Sequence, residues 1–252
     1  RKRGALMTFN EFVLGKCNES EYEVMLGDMD GLKKSRLCIT LDADTQLVRQ
    51  SAEKLIGAAV HPLNRPHIYD GRLLRGYTIL QPAIGVSAQA AARTKFALYY
   101  SGQAGIDSYT FATSDVYMDI ANEASFCGKG LYHISAFETL VGGKFPDNAI
   151  LSHDLIEGSF AGTGLVSDVK LLDDYPKTYM SYAKRLNRWI RGDWQLIPYF
   201  CKKVKNKNGE KTLYLFLQSG RLLITSGAAL CRISLLYCLL PAHCFCRIRF
   251  YG

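Results

Sequence analysis

The sequence predicts an α/β protein whose helices cover a mostly parallel or mixed sheet. Short apolar runs that are typical of buried strands alternate with segments in which apolar residues recur at helical spacing. Hydrophobic residues make up 48% of the 252 residues and charged residues 21%, so most of the chain can fold around a core. The formal net charge of +8 favours a phosphorylated ligand, a nucleic acid or an anionic membrane surface, without choosing among them.

Cysteine spacing argues against two classes of function. The eight cysteines include no C-x-x-C pair, which makes a zinc ribbon or a thiol redox motif a poor explanation. We interpret them as reduced thiols, the state kept on the cytosolic side of a membrane.

The first part of the chain is predicted to contain a helix followed by a β-α unit. Residues 1–15 carry apolar side chains near helical spacing, and the polar residues 17–35 are predicted as a loop. The apolar run RLCITL at 36–41 is typical of a short buried strand. The helix of this unit is predicted over 45–59.

Later elements continue the alternation of strands and helices. A break at 61–66 precedes a strand at 76–81, and a strand, glycine turn and strand are predicted at 124–134. The remaining predictions are, in chain order, a helix at 87–100, a loop at 101–115, a helix at 135–141, a helix that starts near Ser152 or His153, a strand at 165–176, a helix at 179–200 and a basic loop at 202–211.

Two carboxylates follow the first predicted strand directly. Asp42 and Asp44 stand at its carboxyl end, which is the edge of an open α/β sheet where ligands bind. Two acids separated by one residue can offer their oxygens to one hard cation. The alternative is that Asp42 caps the helix that follows and Asp44 is solvated. The motif alone leaves both interpretations open.

An arginine-rich helix late in the chain is the second candidate. Arg185, Arg188 and Arg191 are three residues apart and form a cationic stripe on one helix face. Guanidinium groups hold phosphate oxygens bidentately. Trp189 and Trp194 add ring faces that stack on sugars or on arginines. The alternative is a surface helix with solvated arginines and core tryptophans.

Two smaller clusters also carry candidate chemistry. Asp154 can act as a general base if an acceptor hydroxyl lies within hydrogen-bond reach, or it can simply favour the positive end of a helix dipole. His153 and Asp154 also match the metal-binding pair of phosphohydrolases, but no other histidine has the spacing that this class needs. The glycines at 128 and 130 around Lys129 either bring backbone close to a ligand or form a plain turn.

The order of these clusters resembles one enzyme class. D-A-D at 42–44, F-C-G at 126–128, H-D at 153–154 and R-L-N-R-W at 185–189 follow the D-x-D, FCG, E-D and Q-x-x-R-W order of processive membrane glycosyltransferases with a GT-A fold, such as cellulose and hyaluronan synthases. Longer runs, among them GYTILQP, ASFCGKGLYHISAFE, FPDNAILSHDLIEG and RWIRGDWQL, resemble more closely the glycosyltransferase family 84 domain of cyclic β-1,2-glucan synthases. This resemblance covers about residues 1–200, although the last motif begins with arginine where the class usually has glutamine.

The resemblance implies a fold, a donor and a cofactor. The fold would be a GT-A-like, Rossmann-type mixed sheet flanked by helices, in a fragment that lacks the first nucleotide-binding strands. The donor would be UDP-glucose, with Mg²⁺ or Mn²⁺ as the cofactor. The donor-binding residues would be Lys2, Arg3, Asp42, Asp44, Arg185, Arg188 and Trp189, with Asp44 and Asp42 as metal ligands.

The resemblance also implies a reaction. Asp154 would take the proton from the 2-hydroxyl of a β-1,2-glucan acceptor as that hydroxyl attacks the anomeric carbon of UDP-glucose, so the enzyme would invert the configuration. The acceptor track would be lined by Phe126, Cys127, Gly128 and Trp194. The alternatives are another membrane β-polysaccharide synthase of the cellulose or hyaluronan type, and an inactive basic membrane-binding fragment.

The resemblance finally implies neighbours in the parent chain. Residues 1–212 would form a partial catalytic domain, and the apolar residues 213–252 either a membrane segment or an aberrant terminus. Membrane helices and a phosphorylase-like domain would flank them, at the cytoplasmic face of a bacterial inner membrane, and no nucleic acid is expected as a partner. The sequence leaves open whether residues 1–252 are active alone.

Overall fold

The computed structural model describes residues 2–16, 22, 24–101, 123–145, 151–196, 204–205 and 211–212. The helices are α1 (Lys2–Val13), α2 (Met29–Lys33), α3 (Ser51–Val60), α4 (Ala88–Ala91), α5 (Lys95–Tyr100), α6 (Ile134–Val141), α7 (His153–Ala161) and α8 (Tyr179–Trp194). The strands are β1 (Leu37–Thr40), β2 (Thr45–Leu47), β3 (His67–Tyr69), β4 (Arg72–Arg75), β5 (Ile79–Val86), β6 (Gly130–His133), β7 (Thr163–Asp173), β8 (Val204–Lys205) and β9 (Lys211–Thr212).

One mixed five-stranded sheet organises these elements, in the order β1-β6-β5-β7-β2. Strands β5 and β7 are parallel, and the other neighbouring pairs are antiparallel. Two antiparallel pairs, β3-β4 and β8-β9, lie outside this sheet. Helices flank the sheet, and this confirms the predicted mixed α/β, Rossmann-like fold.

Two hydrophobic clusters occupy opposite faces of the sheet. Successive residues of a strand point to opposite faces, so Ile79 of β5 packs with Phe12 and Ile156, whereas Leu80 packs with Leu55. The first face is therefore covered by α1, α6 and α7, and the second by α3. Each large apolar side chain buried in this way contributes about 1.5–3 kcal/mol relative to exposure. This packing fixes α1 and α7 beside the end of β1.

The predicted helix over 45–59 is wrong at its start. Residues Thr45–Leu47 form β2, an edge strand that pairs with β7, and the helix begins only at Ser51. β-Branched Thr45 suits a strand, and its Oγ1 donates to Asp173 Oδ1 at 2.7 Å. The interpretation of Asp42 as a helix cap is therefore also wrong.

The strand predicted at 76–81 is displaced and longer in the structure. Strand β5 runs over Ile79–Val86 and passes through Pro82, because its register with β7 shifts between Pro82 and Ala83. A proline cannot donate a ladder hydrogen bond, so a strand tolerates it at such an irregularity. Arg72–Arg75, earlier in the same run, forms β4.

Other predicted boundaries also change. In the predicted loop 17–35, Met29–Lys33 forms a short helix because the side chain of Asp28 accepts a hydrogen bond from the backbone N–H of Gly31 at 2.9 Å. Of the predicted strand, turn and strand at 124–134, only Gly130–His133 is a strand. The predicted helix at 87–100 is two short helices, and the basic loop at 202–211 contains the pair β8-β9.

Several predictions agree with the structure or lie outside it. The helices predicted at 1–15, 135–141 and from 152 or 153 onward, and the strand at 165–176, are confirmed within a few residues. Helix α8 starts at the predicted residue 179 and ends at Trp194, with 197–200 outside the described residues. Residues 102–115 of the loop predicted at 101–115 and the tail 213–252 also lie outside them, so the boundary at 212 stays a prediction.

None of the helices in the described part of the chain has the length and apolarity needed to cross a membrane.

Candidate active site

Asp42 lies at the carboxyl end of β1 and is held by two lysines. Lys2 of α1 places its Nζ 2.5 Å from Asp42 Oδ1, and Lys129 places its Nζ 3.4 Å from Oδ2. Partial burial raises the pKa of Asp42, but the hydrogen bond and charge of Lys2, and then those of Lys129, outweigh it and lower the pKa overall. The Asp42 carboxylate is therefore a negative charge held between two lysine ammonium groups.

Asp44 faces the arginine-rich helix. Arg185 of α8 places its Nη2 3.3 Å from Asp44 Oδ2, and both side chains are partly exposed. The guanidinium of Arg185 also lies 5.8 Å from the centre of the Trp189 ring, within cation–π range. Two residues of the predicted stripe, Arg188 and Arg191, are exposed in the structure, and so is Trp194.

Lys129 connects β1 to the end of β7. Besides Asp42 it forms a short ion pair with Asp173, whose other oxygen accepts the Thr45 hydroxyl. Burial lowers the pKa of Lys129, but the hydrogen bond and charge of Asp173 dominate and raise it. Lys129 therefore remains a cation beneath the acidic loop.

The turn at 126–128 is the third part of the site. Gly128 has a φ of +81° and its carbonyl accepts a hydrogen bond from Lys2 Nζ at 2.7 Å. The backbone N–H and the Sγ of Cys127 both donate to Gln81 Oε1, at 3.1 and 3.3 Å. Phe126 is buried. Gln81 of the central strand thus fixes the turn against the sheet, and burial raises the pKa of the Cys127 thiol to about 12.

Asp154, in the first turn of α7, packs directly on this turn. A Cβ built at position 128 would stand 2.7 Å from Asp154 Oδ2, so only glycine leaves room for the carboxylate. Its other oxygen, Oδ1, lies 2.9 Å from His153 Nδ1. The Asp154 side chain is 31% exposed, so one edge of it can still meet a ligand.

His153 belongs to a cluster of charges beneath Asp154. Its Nδ1 lies 3.2 Å from Oε2 of buried Glu157, and Glu157 Oε1 accepts a hydrogen bond from Arg3 Nε at 2.7 Å. The ligand atoms of His153, Asp154 and Glu157 lie within 4.8 Å of one another. They hydrogen-bond among themselves and to Arg3, which differs from the open metal-binding pair of phosphohydrolases.

Helix α8 is locked to the start of α7. A Cβ at Gly192 would overlap Ser152 Oγ, so the glycine lets the two elements touch. The side chain of Gln195 accepts a hydrogen bond from the backbone N–H of Leu151 at 2.9 Å. The helix that carries Arg185 and the segment that carries Asp154 are therefore in direct contact.

The predicted site residues are brought together to different degrees. Lys2, Asp42, Gly128 and Asp154 form one contact chain, and Asp44 with Arg185 lies beside it. A cavity of about 20 Å³, the room of one water molecule, lies beneath, between Lys2, Thr40 and Asp154. Arg3, predicted to bind the donor, instead contacts Glu157 with only 13% of its side chain exposed.

Sequence reasoning missed three residues that build the site. Lys129 was seen only as part of a glycine turn, and Glu157 and Gln195 were not singled out. Glu157 stands four residues after His153, a spacing that puts both on one helix face and could have revealed the pair. The contacts of Lys129 and Gln195 span 44 residues each, and no local pattern signals them.

The sheet, its covering helices and the acids at its edge define a Rossmann-like α/β domain. No protein-family model matches the chain. The cyclic β-(1,2)-glucan synthase NdvB of Rhizobium meliloti strain 1021 is 42% identical to it over 212 residues. The match covers 83% of this chain and 7% of the relative, so the chain spans a small part of that protein's length. The chain is a domain related to the cyclic β-glucan synthases, as its motifs predicted.

Proposed function

We propose that this chain is the catalytic domain of an inverting glucosyltransferase that transfers glucose from UDP-glucose to a growing β-1,2-glucan. The observation that carries the proposal is the contact chain from Asp42 through Lys2 and Gly128 to Asp154. It puts an anion-and-cation cluster suited to a diphosphate next to a carboxylate suited to proton removal. The relation to a cyclic glucan synthase supports the sugar and the linkage.

The donor end of the site is the Asp42–Asp44 loop with its cations. Lys2, Lys129 and Arg185 surround the two acids and can exchange these contacts for diphosphate oxygens. Carboxylate oxygens at 38% and 40% side-chain exposure also fit Mg²⁺ or Mn²⁺, the hard cations that such ligands prefer. Asp42 and Asp44 would hold such a cation, which would supply positive charge to neutralise the leaving diphosphate. Trp189, half-buried beneath Arg185, offers a ring face to a sugar.

The acceptor end is the turn at 126–128 with Asp154. The 2-hydroxyl of the glucan end gives its proton to Asp154 while its oxygen forms a bond to the anomeric carbon. The bond from that carbon to the diphosphate oxygen breaks, and UDP leaves with the electron pair. A single displacement converts the α-linked donor to a β-linked product, so no enzyme nucleophile is needed.

Turnover with defined donors tests this function. We expect UDP release from UDP-glucose but not from UDP-N-acetylglucosamine, and β-1,2 linkages in the product. Another linkage or sugar would point to a polysaccharide synthase of the cellulose or hyaluronan type instead. Asp154→Asn should keep UDP-glucose binding and lose transfer, whereas Asp168→Asn, the same change at an exposed site on β7, should keep both binding and transfer. Retained turnover in Asp154→Asn would refute the base assignment.

UDP binding separates the enzyme from a binding fragment. We expect Asp44→Asn to weaken UDP binding in the presence of Mn²⁺ and to leave any membrane binding unchanged. Unchanged UDP affinity would favour the inactive basic fragment. We further propose a location at the cytoplasmic face of a bacterial inner membrane, beside membrane helices and a phosphorylase-like domain of the same polypeptide. Sequencing the flanking DNA tests that arrangement.

A further inference from the structure

We propose that His153 is a positioning residue that holds one oxygen of Asp154 and leaves the other facing the Gly128 turn. The inference rests on the proposed function, in which Asp154 accepts the acceptor proton. It gives a role to His153, a mostly buried side chain that takes no direct part in the transfer reaction.

The geometry distinguishes the two oxygens of Asp154. Oδ1 lies 2.9 Å from His153 Nδ1 and is therefore engaged. Oδ2 is the oxygen nearer to the Gly128 turn, at 2.7 Å from the position of an added Cβ against 3.0 Å for Oδ1. Rotation of the carboxylate would break the contact between Oδ1 and His153. The oxygen on the turn side is thus presented in one orientation.

The His153 side chain is in turn held by Glu157. Its Nδ1 is shared with Glu157 Oε2 at 3.2 Å, and Glu157 is anchored by Arg3 at 2.7 Å. The side chains of His153, Glu157 and Arg3 are 18%, 6% and 13% exposed. Two acids and two bases alternate in this chain, which lets buried charges compensate one another. The series ends at Asp154, its most exposed member.

The same arrangement favours a charged imidazole. Burial lowers the pKa of His153, but the hydrogen bonds and charges of Asp154 and Glu157 outweigh burial and raise the pKa to about 10. From the neighbouring elements, Lys2 and Arg3 of α1 and Tyr132 of β6 face the same cavity, and Cys127 lies beside Asp154. At neutral pH the imidazole is therefore protonated and donates to the Asp154 carboxylate.

Substitutions that separate hydrogen bonding from charge, made in the full-length protein, test the proposal. His153→Ala should lower kcat about 10- to 100-fold, the loss that misplacing a catalytic group causes, with KM for UDP-glucose changed less than about twofold. His153→Asn restores a donor at the Nδ1 position without the charge and should recover part of kcat. His133→Asn is the matched control, since His133 is a partly buried histidine on β6 outside the cluster, and should behave as wild type.

The pH dependence of kcat is a measurement that a purely structural role of His153 would leave unchanged. Glu157→Gln removes one of the two carboxylates that raise the His153 pKa, so kcat should fall between pH 7 and 9 where the wild type stays level. Wild-type kcat in His153→Ala, or equal kcat in the Ala and Asn variants, would overturn the positioning role. An inactive wild type would instead overturn the proposed function, so the two failures are distinguishable.

Discussion

The carboxylate of Asp154 occupies the space that a Cβ at position 128 would need, and Gly128 has a φ of +81°. This contact joins two segments that lie 26 positions apart, and it sets where the proposed general base stands relative to the proposed donor end of the site. Adding a single methyl group at position 128 should therefore disturb chemistry more than folding.

Gly128→Ala should lower transfer strongly while it costs only about 1–2 kcal/mol of stability from the positive φ. Gly143→Ala is the control, because Gly143 has a φ of +67° and open space around it. Both variants should lose stability in urea unfolding, Gly128→Ala somewhat more because its methyl group also displaces Asp154, and only Gly128→Ala should lose turnover. Equal turnover in the two variants would show that the Asp154 contact has no catalytic consequence.

Gly192→Ala should separate α8 from α7. The added methyl overlaps Ser152 Oγ, so we expect a net destabilisation of about 1–3 kcal/mol, as for other overpacked contacts. Gly57→Ala, on an exposed face of α3 with open space, should instead stabilise the chain by about 0.5–1 kcal/mol. Thermal unfolding of both variants makes the comparison, and a stabilised Gly192→Ala would mean that the two helices are not in contact.

Removal of the Lys129 charge should destabilise the loop that carries Asp42. The side chains of Lys129 and Asp173 are only 12% and 16% exposed, so Lys129→Met leaves a mostly buried carboxylate without its partner. We expect a loss of about 1–3 kcal/mol in the free energy of unfolding. Lys54→Met, at an exposed site on α3, should change it by less than about 0.5 kcal/mol. If the two variants are equally stable, the buried ion pair contributes nothing.

Stability should depend on pH through His153 with a defined sign. Its folded-state pKa of about 10 is above the ordinary value of 6.5. The contribution is therefore complete below pH 6.5 and is lost as the pH rises towards 10. Since one pKa unit corresponds to about 1.4 kcal/mol, the difference in unfolding free energy between wild type and His153→Asn should shrink by a few kcal/mol over this range.

His133 provides a control of opposite sign. Burial lowers its pKa, so its contribution is present above pH 6.5 and is lost as the pH falls below that value. The stability difference between wild type and His133→Asn should stay level from pH 7 to 10. A level difference for His153→Asn over the same range would contradict the charged imidazole.

The sequence could predict those parts of the site that depend on local pattern. The acids Asp42 and Asp44 follow an apolar run, and the start of α7 at His153 follows a capping position, so both were placed correctly on their elements. The Arg185 stripe was predicted from helical spacing, but only Arg185 of its three arginines contacts an acid of the site. Which arginine turns inward depends on how α8 docks, and periodicity carries no information about docking.

Strand boundaries also depend partly on local sequence pattern and partly on pairing with distant strands. Residues 45–47 have polar and apolar side chains that suit a helix or an edge strand. They form a strand because they pair with β7. The strand predicted at 76–81 stops just before Pro82, whereas in the structure the shifted register between β5 and β7 lets the strand continue through it.

By itself the sequence determined the α/β class, the order of the clusters and the relation to glucan synthases, because apolar periodicity and motif order are local properties of a chain. The tertiary structure alone decided that Lys2 meets Asp42, that Asp154 meets Gly128 and that Glu157 anchors His153 to Arg3. The first two contacts and the Arg3–Glu157 pair join distant segments whose approach depends on the packing of whole helices against the sheet. The His153–Glu157 pair is local, but its burial comes from that same packing.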